Sequence, residues 1–591
     1  MKIRVLDGHR LHTGFVVGAR ALERRKEKLN RMNLFPVPDG DTGSNLAATM
    51  GHVSADSEVF RSLSKTSASM ADAALMGARG NSGLIFAQFL YGFAREAGNI
   101  DVIDAKHFGA VVSRAVPYAV EALNKPVEGT MISVMRRWAG SFRTLALESG
   151  DFAVALPGSL DEAKKALEAT KNQLPVLREA GVVDAGAQGF VDFLEGINSF
   201  LETGDRRAIP DDVGPVGRWF RDEHSGFEET AERYCTEGLI TECRLGLRKM
   251  RELLSGLGSS LIVGGHQGKV RFHIHTDDPP EVFHNLGTAG VVRQHKAEDM
   301  LRQVEMRKRR RSKTAIVTDS TCDLPQEILD HHQVHMIPLR VAFGERVFLD
   351  RLTITPKQFY SLQETGEARP VSSQAGVGEF ERLYRELMEY YDSVIAIHIS
   401  GELSGMWNAS RTAASRVSDR ITVIDSLTAS APLGLLVLEA AEALDRGVPA
   451  GDVIDMLERL TQKTKILVSL RTVREMVRGG RLKRASGLLA RVLNLKPIVT
   501  VDTRGRAVPA GRAMGWEANL GKVLRQVKTI GKEGSVTRYA VVHAHAPETA
   551  NRLAERLERV LGKRPDFVSE ISPVLGIHSG RGSVAVGLIS P

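Results

Sequence analysis

The spacing of apolar residues changes character at a run of basic residues, Arg307-Lys308-Arg309-Arg310-Arg311 followed by Lys313, and that change constrains the fold most. Before it, through about residue 200, Ala, Gly and Leu recur at helical spacing, as in AALMGARGNSGLIFAQFLYGFARE, with glycine-rich segments between the helical stretches. From about residue 215 to 306 the pattern differs. LIVGGHQGKVRFHIHT reads as two short strands around a glycine-containing turn, and PPEVFHNLGTAG opens a helix. After the cluster, TAIVTDST, SVIAIHIS and RITVIDS are apolar strands ending in polar turns, each followed by a helical stretch. Strands alternating with helices predict a mostly parallel α/β sheet. The expected organisation is an all-α domain over 1–205, a small α+β domain over 215–306, a basic linker over 307–313 and an α/β half over 314–591.

Composition narrows the function classes. With 591 residues, 42% hydrophobic and 25% charged, the chain is an ordinary globular one. At roughly 150 residues per domain it holds about four domains' worth of chain, and three larger ones also fit. It has no run of 18 uncharged apolar residues, so no transmembrane segment is expected. The start, MKIRVLDGHRLHTGF, lacks the apolar core of a secretory signal. Three cysteines, Cys235, Cys243 and Cys322, cannot form a disulfide framework in so long a chain, which predicts a cytoplasmic location. The charge of +8 comes from 79 basic and 71 acidic side chains, a small excess, and aromatics are only 6%. No nucleic-acid partner is expected, and the basic cluster reads as a solvated linker.

Chemistry concentrates in a few segments. In NLFPVPDGDTGSN (33–45), Asp39 and Asp41 flank Gly40, and carboxylates so placed suit Mg²⁺; an Asp-Gly turn without a ligand is the alternative. GARGNSGLIFAQ (77–88) is a glycine-rich loop opening a helix, which presents free N–H groups to a phosphate. There Arg79 adds charge, and Asn81 and Ser82 are potential caps, although small residues also permit close helix packing. PVEGT (126–130) and GVVDAGAQGF (181–190) are two further glycine-containing turns with acidic residues. In RFHIHTDDP, a strand would put His273 and His275 on one side and Phe272 and Ile274 on the other. With Cys235 of YCTE they are one ligand short of a closed zinc site; two ordinary polar residues on a strand are the alternative. In the last half TDSTCDLP, PVSSQAG, HISGELSGMWNAS and VIDSLTAS place hydroxyls at strand ends, where α/β proteins bind ligands and where helices are also capped.

In that order, FPVPDGDTGSN, GARGNSG, PVEGT and GVVDAGAQG resemble the nucleotide-binding domain of the dihydroxyacetone kinase family, in the variant found in bacterial fatty acid kinase (FakA-type). The resemblance implies an all-α helical barrel that holds ATP and Mg²⁺ at one end. Asp39 and Asp41 would be catalytic Mg²⁺ ligands, with Asn33 a third, standing where the family has a further acidic ligand. Asn45, Gly80, Asn81, Ser82, Gly83, Thr130 and Asp184 would bind the nucleotide. YCTE and HIHTDDP are similar to segments of that kinase's middle domain, where a Cys and two His hold zinc; carried over, these are Cys235, His273 and His275, while Cys243 has no place in the pattern.

DSTCDLP, SSQ, SGELSG, VIDS, RGGRL and GIHSGRG resemble the DegV family of fatty-acid-binding proteins, which implies an apolar tunnel with the acyl carboxylate at its mouth. Ser372, Ser400, Ser404, Arg481 and His578 would serve the head group. Three positions depart from the family: Ser372 where Thr is usual, Arg581 where Pro is usual, and Gly401 where a second Ser is frequent. Together the resemblances imply an ATP-dependent fatty acid kinase with both modules in one chain, making an acyl phosphate for phospholipid synthesis. The short linker would raise the effective concentration of one module at the other. The alternatives are a fatty-acid-binding or transport protein without transfer, and a kinase of a small polyol such as dihydroxyacetone. The implied partners are a fatty acid ligand, a second copy in a homodimer, a downstream acyltransferase and transient contact with a membrane surface.

Overall fold

The computed structural model describes residues 3–35, 40–203, 232–266, 268–366, 368–482, 495–533 and 536–590. The chain divides into two compact units, Met1–Leu301 and Arg302–Pro591. In the first, long helices span Gly8–Met32, Thr42–Asp56, Leu63–Gly77, Gly80–Ala97, Ala105–Glu121, Met131–Ser149, Phe152–Gln173 and Ala185–Thr203. Their starts are written in the sequence: Asp7, Asp104 and Asp151 each precede a helix, and each carboxylate accepts from a first-turn N–H. Successive helices pack on one another, and Ala185–Thr203 returns against Gly8–Met32, Met131–Ser149 and Phe152–Gln173. Phe86, Phe89, Trp138, Phe142, Phe190 and Phe193 interlock at the centre in edge-on and tilted pairs.

The middle of the chain adds a four-stranded antiparallel sheet in the order Ser259–His266, Gly268–Thr276, Tyr234–Cys243, Val291–Asp299. The hairpin and the helix expected there are present, the latter at Pro279–Leu286. The sheet packs on the helical domain: Ile262 joins the helical core, and Gly264 lies so close to Gln88 that an added Cβ would sit 2.7 Å from its side chain.

In the second unit, the strands expected from TAIVTDST, SVIAIHIS and RITVIDS are adjacent in a parallel sheet ordered Ile421–Asp425, Ser393–His398, Thr314–Asp319, His335–Ile337. The expectation of a mostly parallel arrangement does not extend further. A six-stranded sheet, Ala507–Met514, Leu495–Val501, Thr464–Ser469, Val584–Ile589, Arg538–His543, Val568–Glu570, is antiparallel except for its last pair. The last strand of the chain, Val584–Ile589, enters between two earlier strands and pairs antiparallel with both. A three-stranded antiparallel sheet, Arg346–Leu349, Arg340–Phe343, Pro370–Ser373, completes the unit. Arg307 and Lys308 of the basic cluster end the helix Met300–Lys308, while Arg310 donates to the Tyr390 carbonyl and Arg311 to Asp445. Among the described residues no helix is long and apolar enough to cross a membrane.

Candidate functional site

Four helix starts of the first unit are tied to one another. Asn45, in the first turn of Thr42–Asp56, lies against Gly80, where an added Cβ would meet its amide nitrogen at 2.2 Å. Gly80 has φ +58, a conformation glycine adopts freely, and it opens the helix Gly80–Ala97. Ser82, two residues on in the same turn, abuts Gly186 at the start of Ala185–Thr203. Asp184 joins that helix to Met131–Ser149 by accepting from the N–H groups of both Ala187, at 2.7 Å, and Met131. Helix N-termini carry the positive end of the dipole. Here two carboxylates already take part of it, Asp184 at Met131 and Ala187 and Glu237 at Gly80, and the other first-turn N–H groups are what the corner offers an anion.

Asp41 occupies the cap position of Thr42–Asp56, yet its side chain makes no cap hydrogen bond. Its carboxylate is thus not used as a turn-former, which fits a cation ligand held beside phosphates. Asn33, buried at the end of Gly8–Met32, lies outside that helix on the near side of the same loop. Asp39 falls outside the described residues. Asn81 Oδ1 is buried without a hydrogen-bond partner, a polar atom available to a ligand. Burial pushes the Asp184 carboxyl up to about 6, with its backbone hydrogen bonds from Ala187 and Met131 acting in the opposite sense. Thr130 precedes Met131 and donates its hydroxyl to the Val127 carbonyl at 2.9 Å.

Strand alternation brings the donor set of the sheet together. Cys235 pairs directly with His275, and Glu237 with His273, so all four share one face and all are buried. One ligand atom from each of Cys235, His273 and His275 lies within 4.8 Å of the others. His273 Nδ1–H donates to Glu237 Oε1 at 3.1 Å, which turns the bare Nε2 toward His275 Nε2, 3.2 Å away. Two nitrogens bound to one tetrahedral Zn²⁺ at their usual bond lengths stand roughly 3.3 Å apart, so the residues fit that ion. Burial, and then His273, holds His275 down to about 3, leaving it neutral as a ligand must be. Burial pushes the Cys235 thiol up, with Lys296 acting in the opposite sense. Burial alone would also raise the Glu237 carboxyl, but Lys296 and the His273 hydrogen bond hold it below the usual range. Asp41 acts electrostatically on both Cys235 and Lys296, which puts the sheet and the Asp41 loop in one field.

The second unit encloses a cavity of about 380 Å³, apolar along most of its wall, with a polar end formed by Ser372, Ser404, Arg481 and His578. Ser372 Oγ is 3.0 Å from His578 Nε2. Arg481 donates through Nε to the Leu403 carbonyl at 3.2 Å and through one terminal nitrogen to the Gly479 carbonyl at 2.6 Å, which fixes its guanidinium. Burial, and then the nearby Arg481, lowers His578 to about 4. Ser400 is not brought to this cavity: it is buried and donates to the Gly505 carbonyl at 2.8 Å. Arg581 pairs with Glu364, and Gly401 lies against Trp407 and Asp425. Among residues not singled out by sequence, Gln374 lines the polar end, and Glu237, Arg271 and Lys296 surround the metal-type donors. Glu237 was within reach, since it is two residues from Cys235 and shares its face by the same alternation applied to the histidines.

These features define a two-unit protein that pairs a cluster of helix N-termini beside a soft-metal donor set with an α/β domain enclosing an apolar cavity. Family profiles agree with this division: a DAK2 domain matches residues 36–199, the FakA-like middle domain of fatty acid kinase matches 231–307, and the DegV family matches 313–591. The chain belongs to the DegV family through residues 313–591 and joins that domain to the other two. Protein DegV of Bacillus subtilis is 31% identical over 275 residues, 46% of this chain and 97% of that protein. Protein YloV of the same organism is 30% identical over 359 residues, 59% of this chain and 63% of YloV. An uncharacterised protein of Staphylococcus saprophyticus is 32% identical over 312 residues, 50% of this chain and 56% of its own length. The chain thus spans less than two thirds of those last two relatives. A solved fatty-acid-binding DegV-family protein of Thermus thermophilus is 32% identical and aligns over 47% of this chain and 99% of its own, with a TM-score of 0.44.

Proposed function

We propose that this chain is an ATP-dependent fatty acid kinase that converts a fatty acid carboxylate to an acyl phosphate, with nucleotide-binding and acyl-binding modules in one polypeptide. The helical domain is read as the antiparallel barrel of the dihydroxyacetone kinase family. Asn45, Asn81, Ser82 and Thr130 would receive the ATP phosphates at the helix starts, with Gly80, Gly83 and Asp184 shaping that site. Asp39, Asp41 and Asn33 are the residues that would hold Mg²⁺, which when bound neutralises phosphate charge. In the second unit Ser372, Ser404, Arg481 and His578 would orient the carboxylate while the apolar wall holds the acyl chain.

In the reaction a carboxylate oxygen forms a bond to the γ-phosphorus. The bond from that phosphorus to the β–γ bridging oxygen breaks, and its electron pair departs on ADP. No general base is needed, because a carboxylate is ionised at neutral pH. Positioning and charge neutralisation are what such a transfer requires of the protein. The product would serve an acyltransferase of phospholipid synthesis. The observation that carries this reading is the Asp41 carboxylate, left out of capping at the entrance to a set of linked helix N-termini, in a chain that also encloses an acyl-sized cavity.

The test is ADP release by purified protein with Mg·ATP, with and without oleate, beside Asp41→Ala. Oleate-dependent turnover that the variant loses supports the kinase. Oleate binding with no ADP in any reaction would leave a fatty-acid-binding protein, and turnover on dihydroxyacetone alone would leave a polyol kinase.

A further inference from the structure

The GARG loop is gripped from outside the helical domain by two side chains of the sheet. Glu237 Oε1 accepts from the Gly80 N–H at 2.9 Å, in a contact buried on both sides. Arg271, on the same sheet face and only 7% exposed, donates to the Met76 carbonyl at 2.9 Å and to Gln294 at 3.0 Å. The first side chain holds the first N–H of the helix Gly80–Ala97, and the second holds a last-turn carbonyl of Leu63–Gly77. Those are the groups that helices leave unsatisfied at their ends. The same Oε1 atom of Glu237 accepts from His273 Nδ1–H, and Lys296 Nζ stands 3.9 Å away. One carboxylate oxygen therefore bridges a metal-type histidine and the backbone of the phosphate-facing loop.

We infer that Glu237 is a positioning residue that couples metal binding at Cys235, His273 and His275 to nucleotide binding at the Gly80 loop. A carboxylate on the far nitrogen of a ligating histidine fixes its tautomer and raises its basicity, and losing such a partner costs about 10- to 100-fold in metal affinity. With a metal held by His273, the Nδ1–H would be a stronger donor and would keep Glu237 in the orientation that also receives Gly80 N–H. Coupling between two sites is reciprocal, so whatever factor the metal adds to nucleotide affinity, nucleotide adds to metal affinity. This rests on the reading of the helix starts as a nucleotide site, and it assigns the sheet a task that the kinase chemistry does not itself require.

The test uses the full chain and Mg·ADP as probe, read by calorimetry. Affinity is measured with one equivalent of Zn²⁺ and after stripping with a chelator, and zinc affinity is measured by chelator competition with and without Mg·ADP. The expected result is roughly tenfold weaker nucleotide binding without zinc, within the ordinary range of such couplings, and an equal effect of Mg·ADP on zinc. Glu237→Gln is expected to weaken both and to make the remaining nucleotide affinity insensitive to zinc. Nucleotide affinity equal within twofold in the loaded and stripped wild-type protein would overturn the coupling without any variant having to fold. Mg·ADP that does not bind the loaded wild-type chain would overturn the nucleotide site and the coupling with it. Tight, zinc-coupled Mg·ADP with no oleate-dependent turnover would leave the coupling standing and refute only the kinase.

Discussion

Gly43 and Gly51 lie in one helix, Thr42–Asp56, and substituting each with alanine should move stability in opposite directions. An added Cβ at Gly51 meets nothing within 4 Å, and the position is exposed. Gly51→Ala should therefore show the ordinary propensity gain, about 0.5–1 kcal/mol. At Gly43 the same Cβ would stand 2.1 Å from the Lys26 carbonyl oxygen and 2.8 Å from Leu29 Cβ. The first contact is backbone within Gly8–Met32, so no rotamer change relieves it. Overpacking costs roughly 1–3 kcal/mol, which exceeds the propensity gain, so Gly43→Ala should be destabilising by about 1–2 kcal/mol net. At roughly 2–4 °C per kcal/mol for a domain of this size, the expected shifts are a rise of about 1–4 °C for Gly51→Ala and a fall of about 2–8 °C for Gly43→Ala. Thermal unfolding followed by circular dichroism reads both. Because Asp41 sits two residues before Gly43, the second variant should also weaken Mg·ADP binding while the first does not. A Gly43→Ala protein that melts at or above wild type would refute the close approach of the two helices and the loop geometry built on it.

Three further outcomes follow from the sites. Asp184→Asn should destabilise by about 1–3 kcal/mol, since it replaces a buried carboxyl that accepts from the Ala187 and Met131 N–H groups with an amide that has one acceptor oxygen fewer; chemical denaturation checks it. Removing the fixed guanidinium with Arg481→Met should weaken fatty acid binding by about 1.5–3 kcal/mol, roughly 10- to 100-fold in Kd, with little change in Tm; fluorescence displacement of a bound acyl probe reads it. Cys235→Ser should lower zinc content from one equivalent to well below it by elemental analysis, whereas Cys243→Ser, whose thiol faces the Leu245 carbonyl, should not.

How much of this was legible depended on how local the determinant was. The faces of His273 and His275 follow from period-two alternation, and strand Gly268–Thr276 obeys it. That Cys235 stands opposite His275 depends on register between strands some 40 residues apart in sequence, which no local pattern fixes. Arg271 and Glu237 obey the same alternation as the histidines, but their partners are backbone groups of another domain, and backbone groups carry no sequence signature. SGELSG could not tell its serines apart: only Ser404 reaches the cavity, because Ser400 lies at the buried strand end beside Gly505. The antiparallel six-stranded sheet was missed because its closing strand comes from the end of the chain, and an apolar run does not state which neighbours it will separate.

His578 turns the polar end of the cavity into a measurable charge balance. Its pKa of about 4 lies below the roughly 6.5 of an unfolded histidine, so between those values the unfolded chain binds the proton more readily. Stability contributed by the neutral ring is present above about pH 6.5 and is lost as pH falls toward 4, and His578→Gln should remove that part of the slope. A fatty acid carboxylate docked beside Ser372 and Arg481 reverses the local sign. It answers the guanidinium that disfavours imidazolium, and it gives the protonated ring a partner, so burial is left as the opposing influence. Binding laurate near pH 6, where the carboxylate remains ionised, should therefore take up a fraction of a proton, with the fraction growing as pH drops. Calorimetry of the same titration in two buffers of different ionisation enthalpy measures that uptake directly. His578→Gln should abolish it while leaving Arg481 to hold the carboxylate. Zero uptake in the wild-type protein, or equal uptake in the variant, would show that the carboxylate does not reach the Ser372–His578 end and would remove the acceptor half of the proposed reaction from this cavity.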